Sequence, residues 1–414
     1  MNARVHARIT DSAVHVPNVA VSAAPEYPGE LDASLSTAEA ASARSEIETW
    51  PGYAPTPCVA LPGLAAHLQL GALHYKDEGG RFGLGSFKAL GGAYAVFRVL
   101  ADAVRDATGD YPEAAALAAG ALQEVTRSFT VCCATDGNHG RAVAWGAQQF
   151  GCQAVIFVHE TVSEGRVEAM ARYGAEVIRH PGNYDETVAR AAEDAAANGW
   201  TVVSDTAWPG YMEIPRYVMH GYCLMCAEAL RQLGEPPTHV LVPAGVGGVA
   251  AAVTAATWWA FHADRPRIIV VEPDNAACLM ESAAAGELTA LHGDIETVMA
   301  GLSCGEPSPL AWPVLHAGAH DFVAVSDAEA VEAMRTLANP VGDDAAVVSG
   351  ESAASTIAVL EKALRAPSLR DALQLTGDSR VLAFGTEGDT DPVLYESLVG
   401  RTADAVRGKS SAAQ

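Results

Sequence analysis

From about residue 129 onward, short runs rich in β-branched and aromatic residues alternate with longer stretches whose apolar positions recur every three or four residues. The short runs predict strands at 129–133, 153–159, 176–180, 200–205, 239–243, 267–272, 322–325 and 380–384. The longer stretches predict helices over 140–150, 163–173, 184–198, 212–233, 249–262 and 328–337. Strands alternating with helices argue an α/β architecture with largely parallel sheets. Unbroken apolar runs such as Val240-Leu241-Val242 and Ile268-Ile269-Val270-Val271 suit strands covered on both faces. Residues 1–50 are rich in Ala, Ser and Pro with little periodicity, and read as an extended arm with one short helix near 37–49.

Length and charge narrow the class. A chain of 414 residues exceeds the usual single core, so two domains are expected. Half the residues are apolar and 18% are charged, which suits a well-buried enzyme. A net charge of −24 would repel a phosphate backbone or an anionic lipid surface, so neither nucleic acid nor membrane is an expected partner. No run approaches the roughly 20 apolar residues that span a bilayer, and Met1 to Arg8 lead into no apolar signal core. A cytoplasmic protein is the expectation. The eight cysteines form no paired C-x-x-C array. Cys132, Cys133, Cys223 and Cys226 read as buried thiols, and whether Cys278 and Cys304 meet is open at this stage.

Candidate chemistry concentrates in four glycine-rich segments. Lys88 stands in Gly83-Leu84-Gly85-Ser86-Phe87-Lys88-Ala89-Leu90-Gly91-Gly92, just before a helix predicted to begin near Ala89. Among Phe82, Leu84, Phe87 and Leu90, burial is expected to depress its pKa and supply the neutral amine that condenses with an aldehyde. Ala134-Thr135-Asp136-Gly137-Asn138-His139-Gly140 joins a strand to a helix and crowds acid, amide and imidazole into one turn. Pro243-Ala244-Gly245-Val246-Gly247-Gly248-Val249 makes the same junction. Its bare amides at a helix N-terminus suit a phosphate monoester, and it lacks the marks of a dinucleotide or nucleotide loop. The last, Phe384-Gly385-Thr386-Glu387-Gly388-Asp389-Thr390-Asp391, offers a hydroxyl and carboxylates after the final strand. Taken singly, each of these three junctions also fits an ordinary strand-to-helix turn.

Together the residues match a family. Lys76-Asp77-Glu78, Arg81-Phe82-Gly83-Leu84, Phe87-Lys88 and Leu90-Gly91-Gly92 resemble the lysine segment of the fold-type II, tryptophan-synthase-β-like enzymes that depend on pyridoxal 5'-phosphate (PLP). Within them the chain resembles the diaminopropionate ammonia-lyases. That similarity runs on through 134–140, Tyr184 to Thr187, Asp205-Thr206-Ala207-Trp208, 244–248, Met299 to Pro307, Gly350-Glu351-Ser352 and 386–391. The resemblance implies two open, twisted, mostly parallel sheets flanked by helices, with the active site between two domains. It sets residues 1–50 as the arm, 51–90 with 215–414 as the large cofactor domain, and 91–214 as a small mobile domain. It also implies a homodimer.

By that resemblance Lys88 carries PLP as a Schiff base. Gly245, Val246, Gly247 and Gly248 hold the phosphate, Asn138 contacts the ring hydroxyl, and Thr386 lies near the ring nitrogen; Phe87 and Glu351 also belong to the cofactor site. The substrate is a small amino acid. The implied reaction is elimination of ammonia from 2,3-diaminopropionate, L or D, with Lys88 and Asp136 as bases on opposite faces and Asp205 binding the β-amine. Alternatives stay open. Ser86-Phe87-Lys88 resembles serine and threonine dehydratases, which eliminate water. A β-replacement synthase or a non-catalytic PLP-binding protein would also use such a lysine.

Overall fold

A computed structural model describes residues 14–135 and 137–408, apart from the side chain of residue 185. Its strands in chain order are β1 (His15–Pro17), β2 (Cys58–Ala60), β3 (Ala72–Asp77), β4 (Thr130–Ala134), β5 (Gln153–His159) and β6 (Glu176–His180). They continue with β7 (Thr201–Val202), β8 (His239–Pro243), β9 (Arg267–Pro273), β10 (Asp321–Val325) and β11 (Arg380–Gly385). Two sheets result, ordered β1-β10-β9-β8-β11-β3-β2 and β6-β5-β4-β7. Every pair inside them is parallel except the two edges, where β1 runs against β10 and β2 against β3. The expected α/β architecture of two mostly parallel sheets is therefore present. β8 and β10 are buried along their whole length, as expected of strands covered by helices on both faces.

Each sheet reverses direction once. In the larger, the chain leaves β8 for β9 and β10 on one side, while β11 returns to the other side of β8. In the smaller, β4 leads to β5 and β6 on one side and β7 returns to the other. Ligands in open α/β sheets gather at such reversals, beyond the carboxyl ends of the strands. The loops after β8 and β11, and those after β4 and β7, carry the candidate chemistry.

Three strands escape the pattern of apolar positions. β1 and β2 are three-residue edges, and β3 reads Ala-Leu-His-Tyr-Lys-Asp, with too many polar residues to look like an inner strand. The predicted strand at 200–205 shrinks to Thr201–Val202, and its ladder ends with the Val203 N–H on the Cys132 carbonyl at 2.8 Å. The arm is more than extended chain. It contributes β1 and a helix, Thr37–Ile47, whose N-cap Ser36 accepts from the Glu39 N–H.

β3 sits inside the sheet because its lysine is neutralised. Lys76 Nζ, fully buried, donates to Glu228 Oε2 at 2.7 Å, to the Thr56 carbonyl at 2.8 Å and to Gln232 Oε1 at 3.0 Å. Arg81 forks onto both oxygens of Glu228 and both of Glu78, at 2.7–2.9 Å. Tyr53 and Thr56 hydroxyls donate to the two carboxylates. Two cations and two carboxylates thus cancel in the interior. Burial raises the Glu228 pKa, but Arg81 and Lys76 outweigh it and leave the carboxyl below its ordinary value. Removing one member strands an uncompensated charge. Glu228→Ala is expected to cost about 3–5 kcal/mol in chemical denaturation, whereas Glu39→Ala, which breaks the half-exposed pair with Arg98, is expected to cost under about 1 kcal/mol. Similar losses for both would contradict this account.

Candidate active site

The segment that leaves β3 is shaped by its own turns. Arg81, tied as above, precedes Phe82 with φ 50° and Gly83 and Gly85 with φ 72° and 79°, left-handed values that suit glycine and strain Phe82. Ser86 then bridges Glu387, the Phe87 N–H donates to the Thr386 carbonyl at 3.0 Å, and the Gly388 N–H donates to the Gly85 carbonyl at 2.9 Å. The β11 loop therefore fixes the residues just before Lys88. The helix Lys88–Thr108 begins at Lys88 itself, one residue earlier than expected.

Lys88, Phe87, Asn138, Asp205, Gly245 to Gly248, Glu351 and Thr386 line one cavity between the two sheets. Asp136, the expected second base, lies outside the described residues. Lys88 Nζ donates to Asp205 Oδ2. Both side chains are about a fifth exposed, at 19% and 21%, and that exposure is to the cavity they line. The expected low pKa of Lys88 does not hold here. Burial does lower it, but the Asp205 carboxylate, with Tyr222 and Cys304 adding to it, reverses the balance and leaves the ammonium favoured. Burial likewise raises the Asp205 pKa, and Lys88 with His139 drives it well below the usual carboxylate range.

Further residues complete the site. The His139 Nε2–H donates to the Val203 carbonyl at 2.8 Å, which leaves Nδ1 facing Asp205 Oδ2 at 3.8 Å. Tyr211 brackets the same loop: its hydroxyl donates to the Val202 carbonyl and accepts from the Ser204 N–H. Tyr222, in the helix Glu213–Gln232, packs at a tilt of 51° against Phe87 with centroids 4.6 Å apart and faces Lys88. A Cβ on Gly91 would meet the Tyr222 ring at 2.4 Å, so the paired glycines after Lys88 are the trace of Tyr222 in the sequence. Glu351 approaches Arg166 at 3.6 Å, and burial with the nearby Glu387 carboxylate pushes its pKa up to about 8. Cys278 and Cys304 are free thiols.

The glycine loop after β8 fits a phosphate. Gly247 has φ 103°, and a Cβ on Gly245 would meet Cys304 Sγ at 2.9 Å, so both positions require bare backbone. The loop opens the helix Gly248–Phe261, whose first N–H groups have no intrahelical acceptor. The Ser352 hydroxyl and His139 Nδ1, both buried beside the cavity, make no hydrogen bond among the described residues. Buried polar atoms of that kind call for a bound partner.

The sequence profile of the family described as pyridoxal-phosphate dependent enzyme matches residues 49–386. Diaminopropionate ammonia-lyase of Escherichia coli K12 is 40% identical over 387 residues, 92% of this chain and 96% of that protein. The chain is a member of the diaminopropionate ammonia-lyase family of PLP-dependent enzymes. Two crystal structures of the Escherichia coli enzyme superpose closely. The complex with an aminoacrylate-PLP azomethine reaction intermediate gives a TM-score of 0.81 at 38% identity, covering 93% of this chain and 96% of that one. The complex with D-serine gives 0.84 at 37% identity, covering 95% and 98%. Threonine deaminase from Solanum lycopersicum, at 20% identity and a TM-score of 0.69, shares the fold. Membership in the family makes PLP the cofactor, and the loop, the lysine and the unpaired polar atoms fit it.

The Lys88–Asp205 pair has a measurable consequence. Only a neutral amine attacks an aldehyde, and Asp205 holds Lys88 as ammonium. In Asp205→Asn the main restraint is gone and burial acts on the amine against only the smaller pull of Tyr222 and Cys304. The pH profile of PLP uptake by the cofactor-free protein, followed by absorbance, is expected to move about 1–3 units toward acid. An unmoved profile would contradict the pairing.

Proposed function

We propose that the chain catalyses the elimination of ammonia from 2,3-diaminopropionate, both L and D, giving pyruvate and two ammonia per substrate with uptake of one water. The observation that carries this reading is the direct contact of Lys88 with Asp205 inside the cavity that the Gly245 to Gly248 loop lines. A diamine substrate brings a second ammonium, and Asp205 is a carboxylate already placed to hold one. PLP, when bound, supplies an electron sink for the pair left at the α-carbon. Lys88, released from the cofactor, takes the α-proton on its face, and Asp136 does so on the other. Gly245, Val246, Gly247 and Gly248 hold the phosphate through their amides, Phe87 and Tyr222 wall the lysine, and Thr386 caps the ring nitrogen as a neutral partner. Asp205 binds the β-ammonium and keeps the departing nitrogen protonated, since a carboxylate beside an ammonium is favourable where water is scarce.

Residues 91–214 form the smaller unit, which closes on the substrate in this reading. Arg141 donates to the Leu84 and Thr390 carbonyls at 3.0 and 3.1 Å, and Ser163 to Asp391 at 2.9 Å, so that unit already grips the β3 and β11 loops. The functional protein is a homodimer, by family resemblance. It works in the cytoplasm: all eight cysteines are free, which suits a reducing compartment, and no helix among the described residues is long and apolar enough to cross a membrane.

Purified protein is expected to release pyruvate and ammonia from both isomers of 2,3-diaminopropionate faster than it releases keto acid from serine, threonine or threo-hydroxyaspartate. No keto acid from either isomer would sink the reading. Asp136→Asn is expected to depress turnover of one isomer by roughly 100-fold or more while sparing the other; equal losses would refute the two-base assignment.

A further inference from the structure

Glu387 ties together three of the segments that line the cavity. It follows β11, and its backbone bridges Ser86, two residues before Lys88. Its side chain reaches the other two loops. Oε2 accepts from Asn138 Nδ2 at 2.5 Å, in the turn after β4, and Oε1 accepts from the Ser352 N–H at 3.2 Å, in the first turn of the helix Glu351–Arg365. Its backbone carbonyl also accepts from the Gly350 N–H at 3.0 Å. The site is built for this side chain: a Cβ on Gly350 would meet Glu387 Cγ at 2.7 Å.

We propose that Glu387 is the positioning residue that orients the Asn138 amide toward the cofactor ring. An asparagine side chain has one accepting end and one donating end, similar in shape, so its direction is set by its partners. A carboxylate only accepts. Glu387 presents its two oxygens to two N–H groups, Oε2 to the Asn138 amide and Oε1 to the Ser352 N–H. It therefore pulls the amide nitrogen of Asn138 to its side and keeps the flipped amide, with oxygen facing oxygen, from forming. The second N–H on that nitrogen remains for the ring oxygen of PLP, which accepts when ionised. A flipped Asn138 would instead present oxygen to that oxygen. Because Glu387 also bridges Ser86, one residue sets the amide in register with the lysine.

This inference rests on the reading that Asn138 contacts the ring hydroxyl, and the test separates the two. Dissociation constants are measured by fluorescence titration of the cofactor-free protein with PLP and with its 3-deoxy analogue, for the wild type, Asn138→Ala, Glu387→Gln and the double variant. Glu387→Gln, which removes the accept-only constraint at constant shape, is expected to weaken PLP about tenfold and to leave the analogue unaffected. In the Asn138→Ala background it is expected to add nothing. Equal weakening for both cofactors would assign Glu387 a general structural role and overturn the proposal. Weakening by Asn138→Ala without weakening by Glu387→Gln would overturn it too, whereas no weakening by Asn138→Ala would show that the underlying contact is absent. Should Glu387→Gln fail to fold, Asn138→Asp, which sets carboxylate against carboxylate, is expected to bind PLP more weakly than Asn138→Ala; wild-type affinity in Asn138→Asp would refute the orientation.

Discussion

Behind β3, Lys76 and Arg81 carry two positive charges into the interior, and Glu78 and Glu228 carry two negative ones to meet them. Each ion would be costly there alone, and the cluster is tolerable because every charge has a partner and several hydrogen bonds. Its reward is placement. Lys76 and Glu78 lie at the end of β3, Arg81 opens the left-handed turn, and Glu228 reaches them from the helix that also carries Tyr222. The strand and the turn that lead to Lys88, and the helix that sets Tyr222 against it, are thus fastened to one neutral knot. A loop of glycines would otherwise hold a lysine loosely, since glycine gives up more backbone freedom on ordering than any other residue.

In front of that knot the electrostatics serve chemistry. Lys88 needs to be neutral when it attacks the cofactor aldehyde and able to carry a proton once the substrate has displaced it. Without cofactor, Asp205 favours the ammonium. In the proposed reaction Lys88 is spent on the cofactor, which would leave Asp205 for the ammonium of a diamine. His139, anchored through Nε2 on Val203 with Nδ1 toward Asp205, keeps a second polar group behind the carboxylate during the exchange. In the proposed reaction the same carboxylate serves the resting lysine and the amine-bearing substrate, and an enzyme for serine or threonine would gain little from it.

Much of this was legible in the sequence, and the failures share a cause. From residue 129 onward the alternation of apolar strands and amphipathic helices matches the sheets closely, because parallel strands buried on both faces must be continuously apolar. β3 was hidden since Lys76 is neutralised by Glu228, 152 residues away, and no local pattern announces a partner so distant. The sign of the Lys88 shift is hidden from the sequence for the same reason: burial is visible among neighbouring apolar residues, while Asp205 is 117 residues on. The glycine loops after β8 and β11 stood out because bare backbone at a strand end leaves a compositional trace. Tyr222 left its trace only indirectly, as Gly91, which makes room for it, whereas Glu387 stands in the glycine-rich loop after β11 and is marked again by Gly350.

Covalent attachment at one lysine is the centre of the account, and the chain has only four lysines, at positions 76, 88, 362 and 409. Among the described lysines, Lys88 alone lines the cavity, while Lys76 is consumed by the buried cluster and Lys362 pairs with Glu329. Borohydride reduction of the PLP-loaded protein, followed by peptide mass spectrometry, reads the attachment point directly. The account predicts a single pyridoxyl-phosphate adduct on Lys88. An adduct on Lys76, Lys362 or Lys409 with Lys88 unmodified, or no adduct at all, would contradict it.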